Sequence, residues 1–138
     1  MIGASLATMA MMQLILLGND AFRVTRSAAD LAAALQAETQ PPYDAAAPVY
    51  QLGFHDQTLP FYLRRPTTLV DYRDEFSLGL DAEPQKAIPT VDAWVAQWQR
   101  LPQGYAVVGG DTLAAITAQG VPFRVVARDP RRLLVARR

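Results

Sequence analysis

From Ile2 to Gly18 the chain carries no charged residue, and Ser5, Thr8 and Gln13 are the only polar side chains in the run. As a helix, at ~1.5 Å per residue, it reaches roughly 26 Å, slightly short of the ~30 Å hydrocarbon core of a bilayer. Nothing basic precedes it, as a secretory signal would require, and Leu17 passes straight into Gly18-Asn19-Asp20. Three readings stand open: the end of a membrane-spanning helix over residues 1–18, a signal sequence, or a buried helix of a soluble fold. With no amphipathic stripe in the run, the first fits best. Arg23 and Arg26 follow, a weak sign of a cytoplasmic flank.

Beyond the apolar run the pattern becomes that of a small α/β unit. Ser27 and Asp30 predict a helix start, Leu31 and Leu35 share one face, and Pro41-Pro42 stops the helix. Residues 19–47 therefore read as a juxtamembrane helix and a linker (Thr39 to Pro48), and residues 48–138 as the soluble domain. In that domain, strands are predicted over Val49–Gly53, Thr68–Tyr72, Tyr105–Val108, Phe123–Ala127 and Leu133–Ala136. Helices are predicted over Leu59–Arg64, from Thr90 through Leu101, and over Thr112–Gln119. The stretch Phe76 to Ile88 has no clean period and contains Gly79 and Pro84, so it reads mostly as loop. Val91, Trp94, Val95, Trp98 and Leu101 recur at helical spacing; two tryptophans on that stripe can stack on a sugar or pack on a sheet, and packing is the simpler reading. The expected fold is an α/β sandwich of two or three layers. Its mostly parallel mixed sheet of four or five strands ends in an antiparallel C-terminal hairpin and is preceded by an apolar helix.

Composition narrows the function classes. The 138 residues suit one domain, and the absence of cysteine excludes disulfides, thiolate metal sites and a cysteine nucleophile. Lys+Arg and Asp+Glu balance at 13 each, which argues against whole-surface attraction to nucleic acid or to anionic lipid. Six of those basic residues (Arg124, Arg128, Arg131, Arg132, Arg137 and Arg138) fall at the C-terminal end. That edge can meet phosphate or lipid headgroups, or simply be a solvated hairpin that resists edge-to-edge pairing.

Ligands of open α/β sheets sit beyond the carboxyl ends of the strands. Those ends carry His55, Asp56, Asp71, Arg73, Asp74, Gly110 and Asp111, the candidate ligand or interface rim. A hydrolase built on His55 and Asp56 lacks a serine on a strand-to-helix elbow, so no catalytic residue and no metal ligand is assigned. Gly109-Gly110-Asp111 is neither GxGxxG nor a P-loop, and the aspartate would repel phosphate. The alternative for Asp56, Asp71, Asp74 and Asp111 is helix capping and loop amide satisfaction.

Pro48-Val49-Tyr50-Gln51-Leu52-Gly53-Phe54-His55-Asp56-Gln57-Thr58-Leu59-Pro60-Phe61-Tyr62-Leu63, continuing through Thr68-Leu69-Val70-Asp71-Tyr72-Arg73-Asp74-Glu75, resembles the C-terminal soluble region of bacterial membrane glycosyltransferases. The group is the dolichyl-phosphate-mannose protein mannosyltransferase-like family, which includes the lipid A 4-amino-4-deoxy-L-arabinose transferases. The resemblance lies in the order of segments along nearly the whole chain. It implies an inner-membrane enzyme whose small periplasmic domain follows the last membrane helix, and which moves a sugar from a polyprenyl-phosphate donor to lipid A or a related glycolipid acceptor. It also places the catalytic carboxylate and any divalent metal in the membrane portion, so this chain would carry no cofactor, would be inactive alone and would partner that portion. The competing expectation is an independent α/β module that binds a small anionic ligand at the strand ends.

Overall fold

The computed structural model describes residues 2–21, 23–39 and 41–137, except for the side chains of residues 2–4 and 19–24. The side chain of Arg23, residue Gln40 of the predicted linker and Arg138 of the basic terminus lie outside the described residues.

The chain begins with α1 (Ile2–Ala21) and α2 (Arg23–Arg26), followed by α3 (Ala29–Gln36). Strand β1 (Val49–Leu52), α4 (Thr58–Leu63), β2 (Thr68–Val70), α5 (Ser77–Ala82) and β3 (Ala87–Ile88) come next. The fold closes with α6 (Val91–Trp98), β4 (Tyr105–Gly109), α7 (Gly110–Ala118), β5 (Phe123–Arg128) and β6 (Arg132–Arg137). The strands form one six-stranded sheet in the order β3-β2-β1-β4-β6-β5. Pairing is parallel from β3 to β4 and antiparallel through β6 and β5, so the expected C-terminal hairpin is present.

Side-chain alternation sorts this sheet into two cores. Val49, Tyr105, Val107, Leu134 and Ala136 pack under α3 and α4, with Leu31, Leu35, Leu59 and Leu63. Tyr50, Leu52, Val70, Ala106, Val108 and Val135 pack under α6 and α7, with Trp94, Trp98 and Ile116. The sandwich thus has three layers, and β1 is buried at every position because both of its faces are covered. Trp94 and Trp98 are wholly buried, which makes them core residues and not a sugar platform.

Two expectations need correction. The stretch Phe76 to Ile88 is not mostly loop: it holds α5, a 3-10 turn over Pro84–Lys86 and a sixth strand, β3. Strand β3 has only two residues and α5 buries only Leu80, too little periodicity to stand out in a sequence. Helix α3 shares its buried face with β1 and β4. The helix predicted to open at Thr112 begins at Gly110 with Gly109 as its N-cap, so Asp111 sits inside the first turn and does not cap it. Thr90 does cap α6, its hydroxyl accepting the Ala93 N–H at 3.2 Å.

Helix α1 stands apart from both cores. Leu6, Met9, Met11, Met12 and Leu14 to Leu17 are each between 61% and 69% exposed, so the buried-helix alternative fails. Among the described residues no helix is long and apolar enough to cross a membrane.

Candidate functional site

Strand order reverses between β1 and β4, the position where open α/β sheets place their ligand crevice. Gly53 leaves β1 with φ +74°, and a Cβ there would meet Thr112 Oγ1 of α7 at 3.1 Å. The end of β1 and the first turn of α7 thus approach closely at the switch point.

Asp56 turns into the molecule. Gln51, a fully buried amide in β1, fixes the loop by accepting the Asp56 N–H at 2.6 Å and donating to Thr67 Oγ1 at 2.7 Å. Asp56 Oδ1 then accepts the Thr58 N–H at 2.8 Å and the Thr58 hydroxyl at 2.6 Å, satisfying a loop amide without capping α4, whose N-cap is Gln57. Its other oxygen pairs with Arg132 Nη1. Arg132 also donates through Nε to Asp129 Oδ2 at 2.7 Å and through Nη2 to the Ser27 carbonyl at 3.1 Å. Two carboxylates therefore enclose one buried guanidinium, whose pKa burial pushes below its ordinary value.

This cluster is also where the N-terminal helices join the sheet. Thr58 Oγ1 accepts the Ala28 N–H at 2.8 Å, and Arg131 Nη1 donates to the Thr25 carbonyl at 3.0 Å. The chain leaving α2 is consequently held at the carboxyl-end rim, beside the β5–β6 turn. Asp129 shapes that turn by accepting the amides of Arg131 and Arg132 at 2.8 and 2.7 Å.

His55 points the other way. Its ring meets Phe76 edge-on at 4.8 Å and lies 6.5 Å from Tyr72, and its Nδ1 is buried without a hydrogen-bond partner. Such an orphan costs about 1–3 kcal/mol unless something answers it. The ring also lines an apolar pocket of about 430 Å³ between α4, β2 and α5, within the size range of small-molecule sites. Leu69, Phe76 and Leu80 supply the wall, and none of these was legible as a site residue.

The remaining rim residues stay exposed. Asp71 adopts φ +52° as the chain leaves β2, and Arg73 forms a surface pair with Asp81, worth little in water. Asp74 opens a 3-10 turn without a side-chain cap bond, while Gly110 and Asp111 lie on α7. The rim is therefore three separate places: a buried clasp, an apolar pocket and a solvated edge. Among the described residues no group of three His, Cys, Asp or Glu side chains can hold a metal ion.

On the solvated edge the Tyr72 hydroxyl donates to Glu75 Oε2 at 2.6 Å. That bond holds the Glu75 carboxyl below its ordinary value and, with the nearby carboxylates, pushes Tyr72 up to about 12. Glu75 accordingly favours folding above its ordinary pKa and loses that contribution as pH falls through its lowered one. Tyr72 favours folding below its ordinary pKa and loses that contribution as pH rises through about 12. In Tyr72→Phe, an NMR titration should find Glu75 back near its ordinary value; an unmoved Glu75 would mean the bond does not form in solution.

The aminoarabinose transferase C-terminal domain family matches residues 31–137, from the buried face of α3 to the end of β6. The chain belongs to this family. Two solved structures are similar over most of it. ArnT from Cupriavidus metallidurans bound to undecaprenyl phosphate is 36% identical, with a TM-score of 0.70 over 83% of this chain. The same protein in its apo state is 38% identical, with a TM-score of 0.68 over 80%. The chain spans only 20% of either structure. No curated protein matches it. This aminoarabinose transferase C-terminal domain is thus a three-layer sandwich whose first packed helix, α3, is clasped to the sheet by Arg132.

Proposed function

We propose that this chain is the periplasmic C-terminal domain of a polytopic inner-membrane glycosyltransferase that moves a sugar from a polyprenyl-phosphate donor to lipid A or a related acceptor. The observation that carries the reading is the family match over 31–137, together with similarity to a fifth of an ArnT that binds undecaprenyl phosphate. In this reading residues 1–18 are the end of a transmembrane helix and residues 19–47 the juxtamembrane helix and linker. The domain is accessory: catalytic groups and any divalent metal belong to the membrane-embedded portion, its partner.

The geometry supports a definite orientation. Because Arg131 and Arg132 hold the carbonyls of Thr25 and Ser27, the carboxyl-end rim lies at the end of the sandwich nearest α1. A domain tethered there covers the mouth of the active site with that rim and helps position donor or acceptor.

The test is deletion of Pro48 to Arg138 from the full-length enzyme. Transfer should fall about 10²-fold, the scale of a ~1 Å misplacement of reacting groups. Sugar transfer and membrane abundance that both stay normal would defeat the proposal.

A further inference from the structure

The fold sorts the arginines of the C-terminal end. Arg124 pairs with Glu38, Arg132 is enclosed in the clasp, and Arg137 donates to the Gln99 carbonyl at the far end of the sheet. Arg128 and Arg131 differ: both are exposed and they flank the β5–β6 turn. Arg128 has no ion pair or side-chain hydrogen bond among the described residues. Arg131 spends Nη1 on a neutral carbonyl, which leaves its charge unanswered. The turn's one acid, Asp129, is buried and held by Arg132, so the outer surface of the turn is cationic.

The turn also has a fixed neighbour. The carbonyl that Arg131 holds belongs to Thr25 of α2, just beyond the end of α1, and Arg132 holds the next carbonyl but one, that of Ser27. Helix α1 presents Leu6, Met9, Met11, Met12 and Leu14 to Leu17 as exposed apolar side chains. An exposed apolar helix followed at once by exposed arginines suits an anionic bilayer, whose hydrocarbon takes the helix while its phosphates meet the cations. The balanced charge of the whole chain makes this attraction local to the turn.

We propose that Arg128 and Arg131 dock the β5–β6 turn on the phosphate headgroups of an anionic lipid surface. The inference rests on the reading of residues 1–18 as the end of a membrane helix, and adds to that tether an electrostatic contact at a second point. Two attachments joined through Thr25 and Ser27 hold the sandwich in one orientation to the bilayer, where a single tether leaves it free to swing.

The full chain is tested by flotation with vesicles of phosphatidylcholine alone and of phosphatidylcholine with phosphatidylglycerol in equal parts. The expected result is binding to both through α1, and tighter binding to the anionic vesicles. Arg128→Gln and Arg131→Gln should each lower that anionic advantage about fivefold, the effect of one arginine near an anionic surface, and leave binding to phosphatidylcholine unchanged. Arg100→Gln is the control: it removes the same charge from an exposed position between α6 and β4, at the opposite end of the sheet, and should leave the advantage intact. Unchanged Trp94 and Trp98 fluorescence confirms that each variant is folded.

No binding to either vesicle defeats the membrane reading of α1 and this inference with it. Equal binding of the wild type to both vesicles overturns the inference alone. So does an anionic advantage that survives both turn substitutions, or that falls as far in Arg100→Gln. Loss of the advantage to inorganic phosphate at constant ionic strength would assign a free anion in place of the lipid surface and overturn it too.

Discussion

Replacing Arg132 with alanine is expected to destabilise the domain by about 3–5 kcal/mol, the usual cost of removing one partner from a buried ion pair. The value sits at the high end for a point substitution because Arg132 serves several groups at once. Its side chain is 6% exposed, and it answers the carboxylates of Asp129 and Asp56, whose side chains are 3% and 14% exposed. Alanine strands both charges in a poorly solvated place and frees the Ser27 carbonyl, which loosens the attachment of α3. Arg132→Lys should lie between the two, because a single ammonium cannot reproduce the guanidinium fork that reaches both acids and the carbonyl. Urea denaturation reads the effect as a lower midpoint at unchanged slope. A loss below about 1 kcal/mol would place the cluster among solvent-screened surface pairs. In the full-length enzyme the same substitution should reduce membrane abundance, since losses of this size change steady-state levels several-fold.

Arg132 also shows which parts of the structure were legible in advance. Period-two alternation puts Arg132, Leu134 and Ala136 on one face of β6, so an inward arginine could have been read from the strand pattern together with Asp129 three residues earlier. The sheet, its C-terminal hairpin and the capped α6 were readable because their apolar positions repeat at a fixed period over several residues. Helix α5 and strand β3 were hidden because a single buried leucine and a two-residue strand carry no period. The rim was readable as a set of positions but not as a site. Loop residues have no period to fix their direction, so neighbours such as His55 and Asp56 could end up facing a pocket and a clasp respectively. The pocket itself is built from residues that read as loop or helix filler, and only their three-dimensional meeting makes it a cavity.

The two tryptophans of α6 provide a second large effect and a finer discrimination. Both are fully buried, their rings 4.8 Å apart, with Tyr50 edge-on at 6.1 and 6.4 Å. Trp98→Ala should therefore cost about 3–5 kcal/mol, in line with emptying a packed aromatic site. Substitution by phenylalanine separates packing from hydrogen bonding. Trp98 Nε1 donates to the Pro122 carbonyl at 2.9 Å, a bond that ties α6 to the approach of β5, whereas Trp94 Nε1 is buried with no partner. Trp98→Phe loses a satisfied bond and leaves a carbonyl orphaned, while Trp94→Phe removes a donor that was already unsatisfied. At equal loss of ring volume, Trp98→Phe should be the more destabilising by roughly 1–2 kcal/mol, measured by chemical denaturation of the two variants side by side. The reverse order would mean that Trp94 Nε1 finds a partner in solution, such as an ordered water, and that the core on this face is less dry than its geometry indicates.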